Sequence, residues 1–277
     1  MPLLINTNVL SLNSQRALGN TQSDLKVAMQ RLSSGLRINS AKDDAAGLYS
    51  VEKLTADIRG QNQAIRNAAD GISLAQVAEG AMAQIANNLQ RIREIAVQSS
   101  NATVEDRTGL QKEVDQLTQE ISRIVQTTKF NGTALLSAST ALNFQVGEDG
   151  SADNRLSIST SLLTGIAAYN GTLTATGVVD VSSASTASGA ITLMETAIQT
   201  VASNRATFGA VQNRFEAVVA NLSVSVENMS AARSRIQDAD FAAETANLTR
   251  AQILQQAGVA MLAQANASPQ TALALLQ

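Results

Sequence analysis

The sequence predicts a mainly α fold: a long antiparallel helical coiled-coil rod with a small β-hairpin region in the middle of the chain. The first observation is a heptad repeat of apolar residues over 194–246, which is typical of a coiled-coil seam. The second is that both prolines, Pro2 and Pro269, lie near the ends, so none breaks a helix between them. The third is that Gly, Ser and Thr concentrate over 131–189, which indicates loops and short strands there.

Two helices are predicted before residue 100. The first runs from Leu18 to a stop at Gly35, and its leucines recur every seven residues. The second begins near Asp43, because Ser40 stands three residues earlier as in a capping box. Its two apolar columns comprise Val51, Ile58, Ile65 and Ile72, and then Leu54, Ala68, Ala75, Met82, Leu89 and Ala96, with lapses at Gln61 and Glu79.

A third helix is predicted with Thr103 or Thr108 as its cap and a stop at Asn131 and Gly132. Its apolar positions, spaced alternately by four and three, are Leu110, Val114, Leu117, Ile121, Ile124 and Thr128. A β-hairpin with one buried face follows, since apolar residues alternate over 142–146 and 156–158 around turn-forming residues. Residues 171–189 contain few large apolar side chains, so they predict an exposed excursion.

The helix over 194–246 organises the rest of the chain. Its columns comprise Met194, Val201, Phe208, Phe215, Leu222, Met229, Ile236 and Ala243, and then Ala197, Asn204, Val211, Val218, Ser225, Ala232, Ala239 and Ala246. At about 1.5 Å per residue it would be about 80 Å long, which predicts a rod. Its seam needs partner helices, because one helix cannot bury it alone.

The last stretch, 251–277, contains no charged residue. Gln and Asn interrupt it too often for a membrane span, so membrane insertion is not expected. We interpret it as an amphipathic helix that needs a protein partner. The residues expected to serve assembly are Ile253, Leu254, Ala257, Ala260, Met261 and Leu262.

Composition excludes several classes of function. The chain has no Cys and no His, so disulfides, thiolate or imidazole metal sites and imidazole-based catalysis are excluded. Carboxylates near helix ends offer no convincing acid–base pair, and we predict neither an enzyme nor a cofactor. The net charge of −3 provides no basic field, so nucleic acid is not an expected partner. The N-terminus lacks the features of a cleaved secretory signal.

Four blocks of sequence resemble bacterial flagellin: 5–18, 31–48, 89–98 and 235–266. The resemblance implies a structural subunit that polymerises into the extracellular flagellar filament for swimming motility. It also implies export of the unfolded chain through the flagellar type III pathway. By resemblance, residues 1–44 and 235–277 form the inner filament layer, and 45–234 form the rod with a short variable excursion at about 133–189.

The resemblance further implies partners. These are other copies of the chain, an export chaperone at the C-terminus, cap and hook-associated proteins, and the host Toll-like receptor for flagellin. The residues implied at a subunit-interface and receptor-recognition patch are Gln90, Arg91, Glu94, Ile95, Gln98 and Glu113. Ile95 stands where receptor-active members usually have Leu. Without the resemblance, these residues would be interpreted as a solvated helix face.

Two alternatives remain at this point. The first is a hook–filament junction protein, since such proteins resemble flagellins at both termini. The second is another coiled-coil structural rod, such as an intracellular adaptor. The low charge of both termini favours a polymer subunit over a rod that is stable and soluble alone. The Ser- and Thr-rich residues 182–188 are either O-glycosylated, as the resemblance allows, or plain solvated loop.

Overall fold

A computed structural model describes residues 7–274, and the environments of side chains as far as residue 267. The outermost parts of the predicted inner layer, residues 1–6 and 275–277, lie outside this description. The helices are α1 (Val9–Ser34), α2 (Ala45–Ser99), α3 (Thr108–Thr127), α4 (Ala184–Gln237) and α5 (Phe241–Ala274). The strands are β1 (Lys129–Phe130), β2 (Thr133–Ala134), β3 (Ala141–Gln145) and β4 (Arg155–Ser159). The predicted mainly α fold with a small β region is confirmed.

The chain forms two compact units. The terminal unit comprises Met1–Ala56 and Glu227–Gln277, and the central unit comprises Asp57–Val226. The predicted inner-layer residues fall within the terminal unit, but their assignment to a filament layer stays a prediction. No helix among the described residues has the length and hydropathy that a bilayer crossing requires.

In the central unit, α2 and α4 pack antiparallel along the predicted seam. Arg93 of α2 forms a 2.7 Å ion pair with Glu195 of α4. Further along, Gln212 donates a 3.0 Å hydrogen bond to Glu79. The buried seam residues of α4 in this unit include Met194, Val201, Phe208, Phe215 and Leu222, so the heptad interpretation is confirmed here. Glu79, an irregularity in the sequence pattern, therefore has a partner across the helix pair.

Phe215 is the most tightly enclosed aromatic residue of this seam. It has no exposed surface, and its ring meets Phe144 of β3 edge-on, with centroids 5.6 Å apart and planes at 83°. On the other helix, a Cβ atom added at Gly71 would lie only 2.7 Å from Cζ of Phe215. Glycine at 71 therefore gives this ring its space between α2 and the hairpin.

The hairpin follows the prediction closely. Strands β3 and β4 pair antiparallel, with Leu142 opposite Ile158 and Phe144 opposite Leu156. Leu156 and Ile158 are buried against the helices. At the turn end of the hairpin, Gln61 of α2 donates a 3.0 Å hydrogen bond to Glu148. Gln61, like Glu79, is therefore a lapse in the apolar pattern of α2 that has a polar partner.

Both predicted boundaries of α3 are wrong in detail. The helix begins at Thr108, whose N–H donates to the side chain of Asp106 at 2.8 Å, so neither predicted threonine is the cap. It ends at Thr127, and Asn131 and Gly132 instead form the two-residue turn between β1 and β2. Their φ values of 46° and 81° suit the left-handed turn that Asn-Gly favours in tight hairpins.

The first two helices also begin elsewhere than predicted. Helix α1 starts at Val9, because the side chain of Asn8 accepts a 3.1 Å hydrogen bond from Ser11 N–H and caps it. Helix α2 starts at Ala45, after Asp44 accepts a 2.9 Å bond from Gly47 N–H. The Ser40 hydroxyl donates to Asp43 in the preceding turn and lowers the pKa of that carboxyl.

The single helix predicted over 194–246 is wrong, because the chain turns between α4 and α5. Asp240 accepts hydrogen bonds from the N–H groups of Ala242 and Ala243 and so starts a new helix. Ala239 N–H donates to the carbonyl of Gly35 at 2.9 Å, and Leu36 forms a β-bridge with Asp238. Heptad spacing alone did not reveal this break, because Ile236, Ala239 and Ala243 continue the apolar columns across it.

The predicted exposed excursion over 171–189 is wrong for its second half. Val179 and Val181 are 2% and 0% exposed, and α4 already begins at Ala184. Polar side chains of α3 bond to the backbone of both valines, a contact that local composition does not encode.

Candidate functional site

The first candidate surface belongs to the terminal helix pair. Helices α1 and α5 pack antiparallel in the terminal unit, where Asn8 donates to the Ala265 carbonyl at 2.7 Å. At the other end of the pair, Arg31 lies 3.8 Å from Glu244, a residue only 8% exposed. These two contacts show which residues of α1 meet which residues of α5.

The face of α5 that turns inward in this pair consists mainly of small apolar residues. Its buried and half-buried positions include Ala251, Gln255, Gly258, Leu262 and Ala265. At Gly258 a Cβ atom would lie 3.3 Å from Cδ1 of Leu18, so the helices approach closely there. Leu262, one of the predicted assembly residues, therefore has part of its surface covered within the unit.

The other five predicted assembly residues of α5 are exposed. Ile253, Leu254 and Met261 leave 61%, 52% and 63% of their surface uncovered, and Ala257 and Ala260 lie on the exposed part as well. A shallow groove of about 580 Å³ next to Ile253 and Leu254 continues this apolar surface toward the start of α5. We call the five residues the α5 outer face. Contiguous exposed apolar surface of this kind makes the α5 outer face a candidate protein–protein contact site.

The second candidate surface lies on α2 and α3 of the central unit. Arg91 donates from Nε to Glu113 of α3 at 2.8 Å and from Nη1 to Glu94 at 3.1 Å. These hydrogen bonds, chiefly that to Glu113, raise the pKa of Arg91. Gln90 and Gln98 are exposed on the same helix. The structure thus brings Arg91, Glu94 and Glu113 into direct contact. We call these three residues, together with Gln90 and Gln98, the Arg91 surface.

Ile95 does not belong to this surface. It has no exposed area and is part of the hydrophobic core of the central unit. Its position follows from the α2 seam, where Ile92 and Ile95 both point inward. A direct contact between Ile95 and a partner is therefore excluded in this conformation, and its influence is limited to packing beneath Arg91 and Glu94.

Sequence reasoning missed the contribution of α4. Glu195 pairs with Arg93, and together with Gln90, Glu94, Ile198 and Gln199 they line an open groove of about 450 Å³. The signal available was the antiparallel seam itself, because its register places residues near 195 beside residues near 93. This groove therefore adjoins the Arg91 surface and reaches a third helix.

Among the described residues no group of three His, Cys, Asp or Glu side chains is arranged to hold a metal ion. The chemistry available is that of recognition: an uncharged apolar helix face in the terminal unit, and a preorganised arginine between two carboxylates in the central unit.

Comparisons with known proteins identify the family of the chain. The family model of the bacterial flagellin N-terminal helical region matches residues 5–141, and that of the C-terminal helical region matches residues 191–276. A flagellin of Halalkalibacterium halodurans is 44% identical over 99% of this chain and 100% of its own length. A 33 kDa flagellar filament core protein of Treponema phagedenis is 43% identical over 99% of this chain and 100% of its own.

The crystal structure of Bacillus cereus flagellin is 29% identical and covers 61% of this chain and 94% of its own, with a TM-score of 0.49. The matches to both family models, and the identity over the full lengths of the Halalkalibacterium halodurans and Treponema phagedenis proteins, establish the family. The chain belongs to the bacterial flagellins, the structural subunits of the extracellular flagellar filament.

Proposed function

We propose that this flagellin builds the filament through two separate surfaces. The terminal unit, through the α5 outer face, packs against the terminal helices of other copies and forms the inner filament layer. The Arg91 surface contacts the neighbouring subunit in the layer outside it. The family membership supports self-polymerisation as the function, and the two surfaces divide that function between the two compact units.

The exposure of the α5 outer face is the observation that carries this proposal. Ile253, Leu254 and Met261 leave more than half of their surface in water. Helix α5 contains only two charged residues, Glu244 and Arg250, and both lie in its first half. Burying such a face against other copies would stabilise the polymer by about 25 cal/mol for each Å² of apolar surface removed from water.

The same face supports a role for α5 before assembly. We infer that an export chaperone covers the α5 outer face while the chain awaits export through the flagellar type III pathway. An uncovered apolar helix would otherwise associate with other copies inside the cell. Cap and hook-associated proteins are proposed to meet the same terminal helices at the two ends of the filament, where one copy has no neighbour.

The Arg91 surface supports a second partner. We propose that the host Toll-like receptor for flagellin binds this surface of the monomer, with Arg91 as its main anchor. Arginine is enriched at the energetic centres of interfaces, and Glu94 and Glu113 hold this one in a fixed orientation. Because the same side chains contact the neighbouring subunit, only the monomer offers them to the receptor.

Replacing Arg91 with Ala should weaken receptor binding on the order of 10-fold to 100-fold and should also slow polymerisation. The change removes the anchor and leaves Glu94 and Glu113 without their shared partner. Binding to the receptor ectodomain and filament growth from seeds can be measured on the same preparation.

The matched control is Arg66→Ala, which removes an exposed arginine of α2 that hydrogen-bonds only to Gln63 among the described residues. This control should bind and polymerise normally. If Arg91→Ala also behaves normally in both measurements, the Arg91 surface is only a solvated helix face.

A further inference from the structure

The stretch 170–181, between the hairpin and α4, is held in an unusual way. We call this stretch the strap. Polar side chains along one face of α3 bond to its backbone groups rather than to its side chains. The α3 residues that make these bonds are Gln111, Asp115, Gln119, Ser122 and Gln126. Their spacing of four, four, three and four residues places them in one stripe along the helix.

Gln111 uses both ends of its carboxamide. Its Nε2 donates to the carbonyl of Val179 at 3.0 Å, and its Oε1 accepts from the N–H of Val181 at 2.8 Å. A neighbouring β-strand would offer one donor and one acceptor to alternate residues in the same way. The Gln111 side chain thus makes the pair of hydrogen bonds that a residue of a neighbouring strand would make.

The other bonds continue along the strap. Asp115 accepts from Gly177 N–H at 2.8 Å, and Gln119 donates to the Ala175 carbonyl at 3.3 Å. Near the start of the strap, Ser122 accepts from Asn170 N–H at 3.0 Å, and Gln126 donates to the Gly171 carbonyl at 3.0 Å. Later residues of α3 meet earlier residues of the strap, so the two run antiparallel.

The contact is anchored mainly at one end. Val179 and Val181 are buried, and Ser99 at the end of α2 donates a 2.6 Å hydrogen bond to the Val181 carbonyl. The buried carboxylate of Asp115 also accepts from Gln111 at 2.9 Å, which fixes the carboxamide that holds the valines. In contrast, the side chains of Thr172, Leu173, Thr174 and Thr176 are exposed.

We propose that the polar stripe of α3 is a binding site for main-chain N–H and C=O groups, occupied in this chain by its own strap, which turns at Thr172–Ala175 and has a positive φ of 71° at Gly177. The ligand class it fits is a main chain with small apolar side chains two residues apart, as at Val179 and Val181. Every residue type except proline carries the same backbone donor and acceptor, so binding to this site does not depend on the identity of the exposed side chains. The exposed strap residues are therefore free to change without loss of the fold.

Hydrogen exchange on the full chain tests the site. The N–H groups of Asn170, Gly177 and Val181 are bonded only to α3 side chains among the described residues, and each should exchange slowly. In Gln111→Ala, the amide of Val181 should exchange at least about tenfold faster, while amides within α2 keep their rates. The matched control is Lys112→Ala, which changes the exposed neighbour of Gln111 and should alter none of these rates.

Ser122→Ala provides a test that leaves packing nearly intact, since it removes a single buried hydroxyl. It should speed exchange of Asn170 and leave Val181 protected. Val181 exchange that is fast in the unaltered chain, or unchanged in Gln111→Ala, would overturn the proposal.

The freedom of the exposed residues is tested separately. Changing Thr172, Leu173, Thr174 and Thr176 together to Gln should shift the Tm by less than about 2 °C and keep Val181 protected. A loss of Tm equal to that of Gln111→Ala would mean that the strap is recognised through its side chains. That result would contradict a backbone-reading site.

Discussion

Removal of residues 251–277 is expected to abolish filament formation while the central unit stays folded. The deletion takes away the whole α5 outer face and also the inward residues Ala251, Gly258 and Leu262 that meet α1. It leaves Asp57–Val226 complete, and the seam between α2 and α4 with its Phe215 core lies within that range. The truncated chain should therefore retain most of its helical circular dichroism and a cooperative unfolding transition.

Electron microscopy and sedimentation of polymer measure the outcome. A substitution separates the outer face from the packing with α1: Ile253→Gln, at a side chain 61% exposed, should reduce polymer yield without lowering the Tm. Its matched control is Gln252→Ala, which alters an exposed polar neighbour and should polymerise normally. Normal filaments from the truncated chain would show that assembly does not require residues 251–277.

The central seam could be predicted from the sequence because burial there repeats every seven residues. Met194, Val201 and Phe208 are buried in the structure for the reason that their spacing suggested. The hairpin was predictable for a similar reason, since alternation along two short strands specifies one buried face. In both cases the signal is local and periodic.

Features that depend on a distant partner could not be predicted in this way. The turn between α4 and α5 is held by Gly35 and Leu36, which lie about two hundred residues earlier in the chain. The strap is held by Gln111 and its neighbours, and its composition alone suggested solvent exposure. In each case a backbone group finds a polar partner that no pattern within the segment specifies.

The candidate surfaces were predictable to different extents. The low charge of α5 pointed to a partner-dependent helix, although not to which side faces α1. The Arg91 surface rested on resemblance; helical spacing accounts for the contact with Glu94, but the contact with Glu113 requires the packing of α3 on α2. Ile95 lies outside both predicted apolar columns of α2, and its place in the core beside Ile92 and Ala96 came from the structure.

Replacing Phe215 with Ala should destabilise the central unit by about 3 to 5 kcal/mol. The ring has no exposed surface, and its loss removes the edge-on contact with Phe144 and leaves a cavity beside Gly71. Helix α4 itself should persist, since alanine favours helix. Denaturant unfolding followed by circular dichroism measures the loss as a lower midpoint.

Gly71 makes this prediction sharper, because the sign of its effect should depend on Phe215. In the unaltered chain, Gly71→Ala forces a methyl group against the ring, an overpacking cost of about 1 to 3 kcal/mol that the gain of about 1 kcal/mol in helix propensity offsets only in part, so we expect a net loss of up to about 2 kcal/mol. In the Phe215→Ala background, the same methyl group enters the cavity and should stabilise the unit. The matched control is Gly80→Ala on the same helix, where an added Cβ meets no atom within 4 Å. This control should stabilise both backgrounds equally, and a Gly71→Ala effect that is equally constant would show that the ring and the glycine are not coupled.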